Sequence, residues 1–148
     1  MDIIETTNMQ RRLECLPDIH KAEDVAVIKT MHAYFSEMYA IELDDKAYCE
    51  TKTEDEAYEE ASIKRKMEVH EKYWSNMSEF YFPCAVMDQP SHNWECVNHI
   101  VILRNNDEEN ELFLFTAKYR EQKGKPAPHI AYLLMFTDDQ LMIEEKFV

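Results

Sequence analysis

The sequence predicts an α+β fold in which helices pack on one face of a strongly curved antiparallel sheet. Helical patterning is confined to the residues before Phe80, while Trp94 to Val148 reads strand, turn, strand, loop, strand, turn, strand. A helical half that feeds a curled sheet can enclose a pocket. The third observation is that the chain has one glycine, Gly124. Turns that need positive φ must therefore use Asn or Asp, and Asn105-Asn106-Asp107 and Asp138-Asp139 stand where such turns are expected.

Residues 1–20 are mixed in character and contain the helix breaker Pro17, so a short helix or a loosely held arm is expected there. Val27, Ile28, Met31, Phe35 and Met38 recur at helical spacing and predict a first helix over about Ala22–Ile41. Asp44-Asp45 then marks a turn, or the cap of a short helix through Cys49. Thr53-Glu54-Asp55-Glu56 has the spacing of a capping box and opens a second helix to about Ser78. Its apolar stripe is Ile63, Met67, His70, Trp74 and Met77. Acidic residues early in this helix and Lys64-Arg65-Lys66 further on complement the helix dipole.

Pro83 and Pro90 bracket a short extended piece, Cys84–Asp88. Strands are expected at Glu95–Arg104, Glu111–Arg120, His129–Phe136 and Leu141–Val148, with Gln122–Pro128 as a loop. Alternation in the first strand places Trp94, Cys96, Asn98, Ile100, Ile102 and Arg104 on one face and Glu95, Val97, His99, Val101 and Leu103 on the other. Parity alone leaves open whether Asn98 or His99 faces a pocket.

At 148 residues the chain reads as one domain, 1–148, able to bury roughly two thirds of its unfolded surface. Scarce glycine disfavours a phosphate cradle of the P-loop or dinucleotide type. A net charge of −14 argues against nucleic acid or an anionic membrane as partner. Cys15, Cys49, Cys84 and Cys96 show neither CxxC nor zinc-finger spacing and read as free thiols in a reducing compartment. No basic leader and no run near ~20 apolar residues is present, so a cytoplasmic protein is expected.

The pieces Glu42-Leu43-Asp44 to Cys49, Val97-Asn98-His99-Ile100-Val101, Leu112 to Lys118, and Phe136-Thr137-Asp138-Asp139 through Lys146-Phe147-Val148 resemble the nuclear transport factor 2-like superfamily. That superfamily includes ketosteroid isomerase, scytalone dehydratase and the SnoaL polyketide cyclases, and the likeness is closest to small fungal SnoaL-like proteins. It spans about residues 22–148 and implies a cone-shaped pocket. The chain departs from the pattern at Glu50-Thr51, at Gln140-Leu141 and at Pro128-His129-Ile130.

The resemblance implies a cofactor-independent isomerase, cyclase or dehydratase acting on an apolar polyketide- or terpenoid-like substrate. His99 and His129 are the candidate proton carriers, because imidazole titrates near neutral pH. Tyr73, Asn98 or Tyr132 would orient a carbonyl, with His70 and Trp74 completing the substrate-binding set. Against this stands the reading of each histidine as a hydrogen-bonded structural residue. The alternative function is a non-catalytic module of the same fold that binds a ligand or a protein. No metal constellation stands out. Apolar residues on both faces of the strands predict a homodimer through the outer sheet face.

Overall fold

The structure, a computed structural model, describes residues 2–6, 22–75, 85–106, 111–119 and 128–147. Strand β1 (Asp2–Thr6) precedes two helices, α1 (Ala22–Glu50) and α2 (Glu56–Tyr73). A 3₁₀ turn at Trp94–Cys96 leads into β2 (Val97–Asn106), followed by β3 (Glu111–Tyr119), β4 (His129–Thr137) and β5 (Gln140–Phe147). The five strands form one antiparallel sheet in the order β1-β2-β3-β4-β5, open at both edges. The helices pack on one face of it, as the α+β prediction requires.

The α1 stripe read from the sequence is the heart of the core. Val27, Ile28, Met31, Phe35 and Met38 are fully buried and meet Ile100, Ile102, Phe113, Phe115 and Leu134 from the sheet. In β3 the alternation holds, with Phe113 and Phe115 toward the helices and Leu112 and Leu114 on the outer face. The last hairpin turns through Asp138 and Asp139 at φ of 50° and 63°. Two consecutive residues at positive φ match the twist of the flanking strands, and Asp tolerates that conformation without glycine.

Five expectations are corrected. Residues 2–6 form an edge strand, Ile4 pairing with Ile102, where an arm or short helix was expected. No turn occurs at Asp44-Asp45, and α1 runs on to Glu50. The helix continues because Asp45 is buried against α2, where it accepts from Ser62 Oγ at 2.6 Å and Lys66 Nζ at 2.6 Å. The N-cap of α2 is Asp55, whose carboxylate accepts from the Ala57 and Tyr58 backbone N–H groups, so the capping-box register is shifted by two.

The buried face of α2 is Ser62, Lys66, Val69 and His70, while Met67 is 40% exposed. A buried ion pair, invisible to a hydrophobic-stripe argument, rotates the helix away from the predicted stripe. The alternation in β2 is broken by a bulge between Val97 and His99, so Val97 points inward with Ile100, Ile102 and Arg104. The expected features at Cys15, Cys84, Met77-Ser78, Asp107 and Gln122–Ala127 lie outside the described residues.

Candidate active site

The face of α1 that carries Phe35 and Met38 continues at helical spacing to Glu42, which is buried. Its carboxylate gathers the segment that leads into β2. Glu42 accepts from the Ser91 backbone N–H at 3.1 Å, from Ser91 Oγ at 2.8 Å and from the His92 backbone N–H at 3.0 Å. The fourth partner is His92 Nδ1, 3.1 Å from both carboxylate oxygens. Pro90 lacks an N–H, so the two donors that follow it are the first the carboxylate can collect. Asn93 then caps the 3₁₀ turn by accepting from Glu95 N–H, and Tyr119 OH donates to the Ser91 carbonyl.

These bonds fix the imidazole. Nδ1 faces a carboxylate and must donate, which assigns the proton of the neutral ring to Nδ1 and leaves Nε2 as a base. His92 is 1% exposed, and among the described residues its Nε2 has no hydrogen-bond partner. Burial alone would push the Glu42 carboxyl up. The hydrogen bond and charge of His92, with the bonds from Ser91, outweigh that and hold it below its ordinary value.

Around this pair lies a shell of rings centred on Tyr34. His92 packs edge-on to Tyr34 at 5.4 Å and to Phe35 at 5.1 Å between centroids. His70, Tyr73, Trp74 and Tyr132 also meet Tyr34 edge-on, at 6.0, 5.9, 6.2 and 6.2 Å. His70 stacks on Trp74 at 5.0 Å, and Trp74 Nε1 is buried with no acceptor among the described residues. Among the described residues, His92 Nε2 and Trp74 Nε1 are thus buried nitrogens without a hydrogen-bond partner, on rings that both meet Tyr34. Lys146 extends from β5 over the Tyr132 ring, its Nζ 5.7 Å from the centroid. His92 also lines a surface pocket of about 270 Å³, together with His32, Ser36 and Tyr39 of α1 and with Asn93 and Trp94.

Burial, reinforced by the charges of His92 and Lys146, pushes the His70 pKa down to about 4. A histidine whose folded pKa lies below its unfolded value of about 6.5 stabilises the fold fully above pH 6.5, and that contribution is lost as pH falls toward 4. The expected result is a loss on the order of 2 kcal/mol between those limits, after allowance for solvent screening. His70→Leu should flatten that part of the urea-denaturation profile; an unchanged slope in the variant would reject the assignment.

The site residues named from the sequence fall into three places. His70, Tyr73, Trp74 and Tyr132 come together around Tyr34. His99 and His129 lie on the outer sheet face, exposed, on either side of Lys118 in cross-strand register. The Asn98 side chain lies outside the described residues. Sequence reasoning missed Glu42, His92 and Lys146. The signal for Glu42 was present: the spacing Met31, Phe35, Met38 carries on to Glu42 and Asp45 once α1 is not stopped at Ile41. His92 stands in a polar segment with no periodicity, so only the folded chain reveals it.

The chain matches no family model, no curated protein and no solved structure. Among the described residues no helix is long and apolar enough to cross a membrane, and no group of three or more His, Cys, Asp or Glu is placed to hold a metal ion.

Proposed function

We propose that the chain is a small cofactor-independent enzyme, an isomerase, cyclase or dehydratase of the kind its resemblance to SnoaL-like proteins implies. It would act on an apolar polyketide- or terpenoid-like substrate at the Glu42–His92 pair. The observation that carries this reading is the Glu42–His92 pair, with a carboxylate on Nδ1 and a buried, unpartnered Nε2. That is the arrangement general base catalysis needs: a fixed tautomer, a free lone pair and a counter-charge for the imidazolium that forms. In this reading His92 takes the proton-carrying role that sequence reasoning assigned to His99 and His129. Trp74 Nε1–H can donate to a developing oxyanion, and Tyr73, Tyr132 and His70 line the site.

The test is proton exchange at the α-carbon of 2-tetralone, an apolar aromatic ketone, followed by NMR in D₂O. Saturable acceleration over buffer is the expected result. Tyr34, Phe35 and Tyr132 are at most 1% exposed and fill the space between helices and sheet, which favours the second reading, a non-catalytic binding module. Saturable binding without exchange would establish that reading, and the absence of both would remove each.

The assembly reading is a homodimer. Val101, Leu103, Leu114, Leu133, Met135 and Met142 are half-buried on the outer sheet face, an apolar surface that a second copy would cover. Light scattering at micromolar concentration is expected to give about twice 17.7 kDa, and Leu114→Lys to halve it. A wild-type mass of one chain would refute the dimer. Free, half-buried Cys49 and Cys96 suit a reducing, cytoplasmic setting.

A further inference from the structure

Lys146 reaches the site through an irregularity in β5. Leu141 and Ile143 of that strand are buried, and strict alternation would place Glu145 inward next and Lys146 outward. The register shifts instead. Leu134 pairs with Ile143 but Leu133 pairs with Glu145, so Glu144 is an extra residue in the strand. Beyond this bulge the phase is reversed, and Lys146 pairs with the buried Tyr132 on the helix-facing side. Bulges beside functional sites commonly re-aim one side chain in this way.

The re-aimed ammonium sits half-buried over the Tyr132 ring, close enough to feel the Glu42 charge and to disfavour protonation of His70. A lysine needed only for solubility would be served better by the outward phase that the bulge removes. Holding a cation at an aromatic wall near His70 costs desolvation, and the bulge places Lys146 where the fold bears that cost.

We propose that Lys146 is a carbonyl-reactive amine, which condenses with the aldehyde or ketone group of a small aromatic ligand to form an imine. This rests on reading the Glu42–His92 cluster as a small-molecule site. In the reaction the neutral Nζ adds to the carbonyl carbon, and a C–N bond forms as the C=O π bond breaks. One amine proton passes to the oxygen to give a carbinolamine. The C–O bond then breaks, the oxygen leaves as water with the second amine proton, and a C=N bond remains. No electrons are gained or lost, so no oxidant or reductant is required.

Burial lowers the Lys146 pKa, partly opposed by the Glu42 charge, so more of the amine is neutral and nucleophilic near neutral pH than for an exposed lysine. The ring edges around Tyr34 select a flat apolar ligand body.

The experiment treats the full chain with 2-naphthaldehyde and sodium cyanoborohydride at neutral pH, then maps labelled lysines by peptide mass spectrometry. Lys146 should be labelled faster than the exposed Lys72 and Lys118, because burial leaves more of its amine neutral. The unreactive 2-naphthalenemethanol should protect Lys146 selectively. Labelling that follows exposure, with Lys146 no faster than Lys72, overturns the inference. In that event, naphthalenemethanol-induced shifts of the His70 and His92 NMR signals would show that the small-molecule site survives without the imine chemistry. Absence of both signals would remove both readings. Every measurement is made on the unaltered chain, so no variant need fold for the outcome to count.

Discussion

His92→Gln is expected to lower the enzyme-dependent exchange of 2-tetralone by about 10²–10⁴-fold, the range of positioned general acid–base groups. Glutamine matches the imidazole in reach and can still hydrogen-bond to Glu42, but it cannot take up a proton near neutral pH. Binding of the ketone, read from the KM or from ligand-detected NMR, should change little, because the ring cage of Tyr34, Trp74 and Tyr132 is untouched. A loss confined to kcat is the signature of a group that acts on the reacting proton.

Glu42→Gln should give a smaller loss of about 10-fold or more, through the tautomer and orientation of His92. It should also shift the pH–rate profile, which a merely structural role would not do. Unaltered exchange by the His92→Gln variant would end the assignment of His92.

The contrast between what the chain announced and what it concealed follows from the kinds of interaction involved. The α1 stripe and the β3 alternation are one-dimensional patterns of burial, and Val27 through Met38 and Phe113/Phe115 sit where those patterns place them. The Asp138-Asp139 turn was readable because a chain so poor in glycine leaves few residues for positive φ.

The active-site candidate instead depends on polar residues brought together over long sequence separations. Glu42 meets His92 across fifty positions, and nothing local in Pro90-Ser91-His92 signals an acceptor there. Two bulges defeated parity. The one after Val97 turned that side chain inward, and the one at Glu144 turned Lys146 inward. A single inserted residue inverts every later side chain in a strand, so alternation read from sequence holds only up to the first irregularity. His70, Trp74 and Tyr132 were identified because their types suit a pocket, and they met because they also suit a core.

Asp45→Ala is expected to destabilise the protein by about 3–5 kcal/mol, the cost of leaving a buried charge uncompensated. Lys66 and Asp45 side chains are 3% and 1% exposed and meet at 2.6 Å. Asp45 also accepts from Ser62 Oγ and from Tyr58 OH, while Lys66 Nζ donates onward to the Ala85 carbonyl. The pair therefore pins α1 to α2 and to the chain beyond α2, and alanine removes the one acceptor that serves three donors. At about 2–4 °C per kcal/mol for a chain of this size, the midpoint should fall by roughly 6–20 °C.

Pairing the change with Lys66→Met should recover at least about half of the loss, because the stranded ammonium was its largest part and an apolar pair can replace a buried ion pair. The hydroxyls of Ser62 and Tyr58 remain without their acceptor, so recovery should be incomplete. A second readout is independent of unfolding. Burial and then the bond to Asp45 hold the Tyr58 phenol up at about 12, so Asp45→Ala should bring its ultraviolet titration down toward 10. A double variant no more stable than Asp45→Ala alone, with Tyr58 titrating unchanged, would show that this pair does not pin the helices.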